Sequence, residues 1–288
     1  MVNPEHPPAR QELGEFMRWL SKRKGITATA LARELNTSQP RISRLMGASG
    51  GAAFTQEILE RWLQLVGASP EEWDRALALL GRVQTDVSSW QTVLGGSMAP
   101  VQEDILTLDR AATGIRHFQP FQVPGPFHNT EYAQAAFRAM RPNADPADVA
   151  GAVRARMRRG RQLVRRGIPY HAILTELALR FRPASPGPDV RPTVWRQLLK
   201  MSANENITVQ VIPADAPMQQ APMCAYLIYN FPEDHDPATM VHGVELPAVA
   251  ITFRGTNEVS AFNTAWDRMK QAALSPEDSR DFISHLLN

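Results

Sequence analysis

Along the first ninety positions apolar residues recur at steps of three and four, the spacing of one helix face. Leu13, Phe16, Met17 and Leu20 mark an amphipathic first helix. Gly25 suits the left-handed position that ends it. Thr27 then stands as the N-cap of a second helix, with Ala30, Leu31 and Leu35 on one face. Asn36-Thr37 reads as a short turn. Ser38 caps a third helix, 39-QPRISRLMG-47, with Pro40 in the first turn, where its missing N–H is harmless. In that helix Ile42 and Leu45 face inward, and Gln39, Arg41 and Arg44 face outward. A fourth helix, over 55–66, presents Ile58, Leu59, Trp62 and Leu65. A fifth opens at 69-SPEEWDRALALL-80, where Ser69, Pro70 and Glu72 form a capping box.

Past residue 100 the pattern mixes the two periods. Phe118–Val123 predicts an extended, proline-bounded segment, and the turn Pro124-Gly125 leads to a helix over 130–140. Asp145 caps and Pro146 opens a long helix over 146–166. The stretch 170–179 reads as part strand and part helix, and 193–203 as a helix. Alternating, β-branched runs at 207–213, 225–231 and 247–253 predict strands. Helices follow over 257–273 and 276–287, the last capped by Ser275. The uncharged run 95-GGSMAP-100 reads as a hinge. The expected organisation is an all-α domain over 1–88, a linker and connecting helix over 89–112, and an α/β or α+β domain over 113–288.

Composition narrows the class. With 43% hydrophobic residues the chain can form proper cores. A single cysteine, Cys224, excludes an intramolecular disulfide framework and a cysteine-based zinc cluster. The polar, proline-rich start shows no secretory h-region, and no apolar run approaches the ~18 residues of a membrane span. A reducing cytoplasm, with association with the nucleoid, is the expected location. Abundant alanine, arginine and proline suggest a GC-rich genome.

Five short helices with a tight turn between the second and third match a helix-turn-helix domain, which lays its third helix in the major groove. Charge agrees: Ala9 to Met46 carries eight basic residues and three acids in a chain of net charge +2. That excess suits phosphate contact. Double-stranded promoter or operator DNA is the expected partner. The candidate contacts are Thr27, Thr37, Ser38, Gln39, Pro40, Arg41, Ser43 and Arg44.

The run G-I-T-A-T-A-L-A-R-E-L-N-T-S-Q-P-R-I-S-R-L resembles the lambda-repressor-like, xenobiotic-response-element family of bacterial regulators. Ala28 stands where that family has a glutamine, and Met46 where it has an acid. The C-terminal half is similar to the uncharacterised domain of antitoxin-like, WhiJ-like transcriptional regulators of actinomycetes. The signposts are 123-VPG-125, 130-TEYA-133, Arg156 with 161-RQLV-164, 176-ELAL-179, 197-QLL-199, 209-VQVIP-213, Glu245 and 273-ALSPEDS-279. The resemblance implies DNA binding by the first domain and control through a small partner protein, commonly encoded by an adjacent gene. The loop Pro126-Phe127-His128-Asn129 departs from the family's leucines and glutamine.

The arginine run 153-VRARMRRGRQLVRRG-167 falls in the long helix. Val153, Met157, Gly160 and Val164 are expected inward, and Arg154, Arg158, Arg161 and Arg165 on an adjoining face. Arg156, Arg161 and Gln162 are expected to serve structure by holding acids such as Glu176. Glu176 and Glu245 are read as carboxylates satisfied by arginine. Arg158, Arg159, Arg165 and Arg166 are expected exposed, as candidate partner- or anion-binding groups.

A search for enzyme chemistry finds no phosphate loop, H-E-x-x-H, G-x-S-x-G or G-x-G-x-x-G. His235, Asp236 and His242 read as a solvated loop, so no metal, cofactor or catalytic residue is expected. The leading reading is a homodimeric, non-enzymatic regulator that represses by occupying a promoter. The alternatives are a regulator sensing a small, anionic molecule in its C-terminal domain, and an enzyme or interaction scaffold that keeps a degraded helix-turn-helix.

Overall fold

A computed structural model describes residues 9–47, 54–89, 97–184, 187–221, 224–232, 239–242 and 249–288. The chain divides into two compact units. The first comprises Met1–Asp86, Glu233–Ala238 and Thr252–Thr256; the second comprises Val87–Pro232, Thr239–Ile251 and Asn257–Asn288. Among the described residues no helix is long and apolar enough to cross a membrane.

The first unit holds α1 (Ala9–Lys24), α2 (Ala28–Glu34), α3 (Gln39–Met46), α4 (Gln56–Val66) and α5 (Pro70–Gln84). Local sequence sets their ends. Thr27, Ser38 and Thr55 each accept a backbone N–H three residues on, at 3.2–3.3 Å. Each such cap contributes about 1 kcal/mol. Ser69 and Glu72 make the reciprocal capping box, at 3.3 and 2.8 Å. Gly25 and Gly67 end α1 and α4 with φ of 73° and 62°. Leu13, Met17, Leu20, Leu31, Ile42, Leu45, Leu59 and Trp62 are fully buried. The indole N–H of Trp62 donates to Ser21 Oγ at 2.9 Å, so the bulkiest core side chain keeps its polar atom satisfied.

The second unit is built on a mixed sheet. Its elements, apart from the terminal residues of β1, β7 and α11 already assigned to the first unit, are β1 (Thr85–Ser89), α6 (Met98–Ala111), β2 (Gly114–Gln119), a 3₁₀ turn (Gly125–Phe127), α7 (Thr130–Met140), α8 (Pro146–Arg166), β3 (Tyr170–Thr175), α9 (Glu176–Arg180), α10 (Arg191–Met201), β4 (Ile207–Ile212), β5 (Tyr226–Asn230), β6 (Thr239–His242), β7 (Val249–Phe253), α11 (Thr256–Ala272) and α12 (Pro276–His285). The strand order is β1-β7-β6-β5-β2-β3-β4. β2–β3 and β3–β4 run parallel, and β2–β5 and β5–β6 antiparallel. One face carries Ile115, Tyr170, Ala172, Leu174, Val209, Val211, Leu227 and Tyr229 into the main core under α7, α8 and α10. On the other face α11 sets Trp266 edge-on to His171 and Phe262 against Tyr226. Edge strand β4 is covered: Val211 N–H donates to Ser279 Oγ at 2.9 Å, and Leu274 N–H donates to Val211 O at 2.9 Å.

Four sequence expectations shift. The segment expected extended at 118–123 is a strand at Gly114–Gln119, because Pro120 ends the ladder and His117 and Gln119 are buried polar residues that break apolar alternation. Strands β1 and β6 were not anticipated; His242, expected in a solvated loop, ends β6. In the expected hinge, Met98 already begins α6, while Gly95 and Gly96 lie outside the described residues. The inward stripe of α8 is rotated: Arg156, Arg159 and Leu163 are buried, while Met157 and Val164 are half-buried.

That rotation places two guanidiniums inside the domain. Arg159 donates to Asp109 Oδ2 at 2.8 Å and to Gln102 Oε1 at 3.3 Å. The Tyr229 hydroxyl donates to Asp109 Oδ1 at 3.0 Å. Burial is the largest influence on the Arg159 pKa and lowers it; the Asp109 charge and hydrogen bond, together with Tyr229 and Tyr170, outweigh burial and hold the group above its usual value. Arg156 donates to Gln102 at 3.3 Å and stacks over Phe137, 4.0 Å from the ring centroid. His128 Nε2–H donates to Val123 O at 2.7 Å, leaving Nδ1 to accept from Arg156 at 3.2 Å. His117 is hydrogen-bonded to the Tyr170 hydroxyl at 2.6 Å. A side chain at Gly160 would press into the Pro126 carbonyl oxygen, so a bare backbone there lets α8 approach the 3₁₀ turn.

Two expected outcomes follow from this packing. Gly160→Ala forces α8 away from Pro126 and costs about 1–3 kcal/mol, read as a lower urea midpoint at unchanged m-value. The second concerns acid. Burial and the neighbouring guanidiniums push the His117 pKa down to about 3, and burial with Arg156 pushes His128 well below its usual value. In the unfolded chain both protonate near pH 6.5. Their contribution is therefore complete above about pH 6.5 and declines as pH falls toward 3. By pH 5 the loss from His117 is on the order of 2 kcal/mol. Hydrogen exchange of β2–β4 amides should show it, with a shallower pH slope in His117→Gln; pH-independent protection between 7.5 and 5 would contradict it.

Candidate nucleic-acid interface

Four residues, Leu35 to Ser38, turn the chain from α2 into α3. Asn36 takes φ 51°, a left-handed conformation that asparagine tolerates, and Thr37 N–H donates to Ala32 O at 2.8 Å. Leu31 on α2, Leu35 at its C-cap, and Ile42 and Leu45 on α3 are all buried in one core cluster. This packing fixes which side of α3 turns outward.

The far end of α3 is held by α1. Gly14 on α1 sits against the Leu45 and Met46 carbonyls; a Cβ there would lie 3.0 Å from Leu45 O. Arg10 donates to Arg44 O at 3.0 Å, and Arg18 to Met46 O. Arg18 satisfies a carbonyl at the helix C-terminus, Arg10 adds a second hydrogen bond to Arg44 O, which also accepts from Gly47 N–H, and both charges complement the negative dipole end. Neither Arg10 nor Arg18 stood out in the sequence, since a long-range cap leaves no local pattern.

Ser38, Gln39, Pro40, Ser43 and Arg44 are exposed, as is Thr27; Thr37 and Arg41 are half-buried. Six of the eight candidates are thus exposed, Gln39, Pro40, Ser43 and Arg44 on α3 itself. Gln39 Nε2 donates to Ser43 Oγ at 2.9 Å, across one helical turn. One amide hydrogen is used, while the other and the carbonyl oxygen stay available, the donor–acceptor pair that matches an adenine edge. Ala28 and Met46, the two departures, pack against the core of the unit.

The C-terminal candidates separate. Arg156 is buried on Gln102 and His128, not on Glu176 as expected. Glu176 instead binds Arg180 at 2.6 Å and accepts from Ala214 N–H at 3.0 Å, and this backbone hydrogen bond, with Arg180, lowers its pKa. Arg159, expected exposed, is 5% exposed because Asp109 and Gln102 on α6 draw it inward. Arg158, Arg161, Arg165 and Arg166 are exposed. Arg158 pairs with Glu103, and Arg166 donates to Ala112 O at 3.2 Å. Gln162 accepts from Arg110 at 3.4 Å. Glu245, His235 and Asp236 lie outside the described residues.

Sequence reasoning missed Gln102 and Asp109. Their signal was polar residues at helical spacing on the same face as Leu106, where an apolar stripe was due. Cys224 is half-buried, and burial raises its thiol pKa. Among the described residues no cluster of three or more histidine, cysteine or carboxylate groups could hold a metal.

Comparison with known proteins matches this division. Residues 12–76 match a helix-turn-helix domain family, HTH_31. Residues 102–285 match the family described as a domain of unknown function, DUF5753. No curated protein matches the chain. Among solved structures, the chain aligns with TrmBL2, described as an archaeal chromatin protein with a novel mode of DNA binding. The TM-score is 0.31 and the identity 11%, over 92% of this chain and 99% of that one. At that TM-score the likeness carries no argument about fold or function. With a helix-turn-helix domain followed by this C-terminal domain, the chain belongs to the DUF5753 family.

Proposed function

We propose that the protein is a transcriptional regulator that binds promoter or operator DNA through α3 and represses by occupying it. The observation that carries this reading is the outward surface of α3: its apolar side is spent on the core, and Gln39, Ser43 and Arg44 are left exposed on a helix fixed at both ends. A reader of this kind works as a homodimer, since two-fold operators present two half-sites about one helical turn apart. Gln39 and Arg44 reach base edges; Ser38, Thr37, Thr27 and Arg41 contact the backbone, and Pro40 sets the helix entry. The C-terminal domain receives a signal, and the resemblance to antitoxin-like regulators supports a small protein encoded nearby as its source.

The test is binding to the duplex upstream of the protein's own gene, by mobility shift at low salt, with and without the product of the neighbouring gene. Binding is expected to weaken about tenfold or more on Arg44→Ala or Arg41→Ala. No retarded complex under any of these conditions rejects the proposal. Ser43→Ala gives a finer check. It releases Gln39 and should lower operator affinity about 2- to 10-fold, the worth of one hydrogen bond, without changing the salt dependence. A change in salt slope alone would instead assign Ser43 to phosphate contact.

A further inference from the structure

Helix α8 has a second surface. Arg154, Arg158, Arg161 and Arg165 stand at steps of four, three and four, so they lie within about 60° of one another around the axis. All four are exposed. From Arg154 to Arg165 is eleven steps, about 16 Å of helix, the axial length of about five phosphates on one strand of B-DNA. The helix holds seven arginines against one acid, Asp148, in a chain whose net charge is +2. Asp148 is engaged elsewhere, accepting from Met98 N–H at 3.0 Å. Among the described residues Glu103 is paired with Arg158, and no carboxylate pairs with Arg154, Arg161 or Arg165.

The fold gives no reason for this row. Buried neighbours Arg156 and Arg159 have acceptors, whereas the outer row touches none of them. The dipole at the helix C-terminus favours Arg165 but not Arg154 or Arg158, which sit turns away. Like charges three and four residues apart repel, so the row is a standing cost that a polyanion would relieve. Its chemistry separates two polyanions. A protein partner is normally anchored by aromatic or aliphatic side chains at the centre of the contact. Among the described residues the exposed large hydrophobics of the domain are Phe121, Met140, Leu177 and Phe181, none of them on α8. A surface of guanidiniums without an apolar anchor fits phosphodiesters.

We infer that the outer row of α8 is a second DNA-contacting surface, which grips the phosphate backbone without reading sequence. It extends the DNA-binding reading to the C-terminal domain, and it stands or falls separately from α3.

The test uses the full chain and a 30-base-pair duplex of arbitrary sequence, with affinity followed across a salt series. Three variants are compared with the parent: Arg154→Gln/Arg161→Gln/Arg165→Gln, the same sites changed to Lys, and Arg44→Gln. Removing three phosphate contacts should reduce the slope of log affinity against log salt by about 2.7. The preference for the upstream duplex over the arbitrary one should not change. The lysine variant keeps the charge and should keep the slope, which excludes a folding defect as the cause. Equal affinity and slope in the glutamine variant overturn the inference while leaving α3 intact. A slope change in the glutamine variant beside an inert Arg44→Gln supports the inference and counts against α3. If the glutamine variant loses binding to polyglutamate but not to the duplex, the surface serves an acidic protein and the inference fails. If the parent binds no duplex, both fail.

Discussion

A guanidinium cannot give up its proton, so burying one obliges the fold to surround it with acceptors. The second unit meets that demand for Arg156 and Arg159, and much of its architecture follows. Asp109 and Gln102 bring α6 onto α8, and Tyr229 ties the same carboxylate to the sheet. His128 stays neutral so that one ring nitrogen can accept from Arg156. None of this reaches unless α8 rides close over the 3₁₀ turn, and Gly160 permits that approach. Removal of one member would leave a buried charge unanswered, which is why this cluster couples so many elements.

The same helix shows how little residue type says about role. Arg158 and Arg159 are adjacent in the chain, yet one is half-exposed on a surface carboxylate and the other is sealed inside. What separates them is angle around the axis and the acceptor each meets. A surface pair such as Arg158–Glu103 contributes little. The sealed pair is a condition for the fold, because either charge alone would be stranded.

Legibility divides along the same line. The first unit is held by short-range grammar, and its caps at Thr27, Ser38 and Ser69 and the left-handed Gly25 lie where the sequence expects them. The outward set Ser38, Gln39, Ser43 and Arg44 follows from periodicity alone, because Ile42 and Leu45 define the inner side. Strand β2 was displaced for the opposite reason. His117 and Gln119 are buried on contacts more than fifty residues away or within the sheet, so apolar alternation does not mark them. Arg159 was misplaced because its acceptor lies on α6, and Arg156 because its acceptors are a glutamine and a histidine where a carboxylate was expected. The guanidinium clamps from α1 onto α3 were invisible for want of any local pattern. Periodicity reports which side of a helix is wet; it does not report which partner a buried polar group finds.

The clamp on α3 has a consequence for how such a protein diverges. The residues that hold the third helix, Ile42 and Leu45 within it and Arg10, Gly14 and Arg18 behind it, are not the ones on its open side. Gln39, Ser43 and Arg44 carry almost no packing, so the open side can be rewritten at small cost in stability, and lineages sharing one scaffold are free to drift apart in what that side recognises. The rear residues have no such freedom. A change at Gly14 or Arg18 would loosen every version of the helix alike, and would pass in a genetic screen for a lost contact although it touches nothing outside the chain.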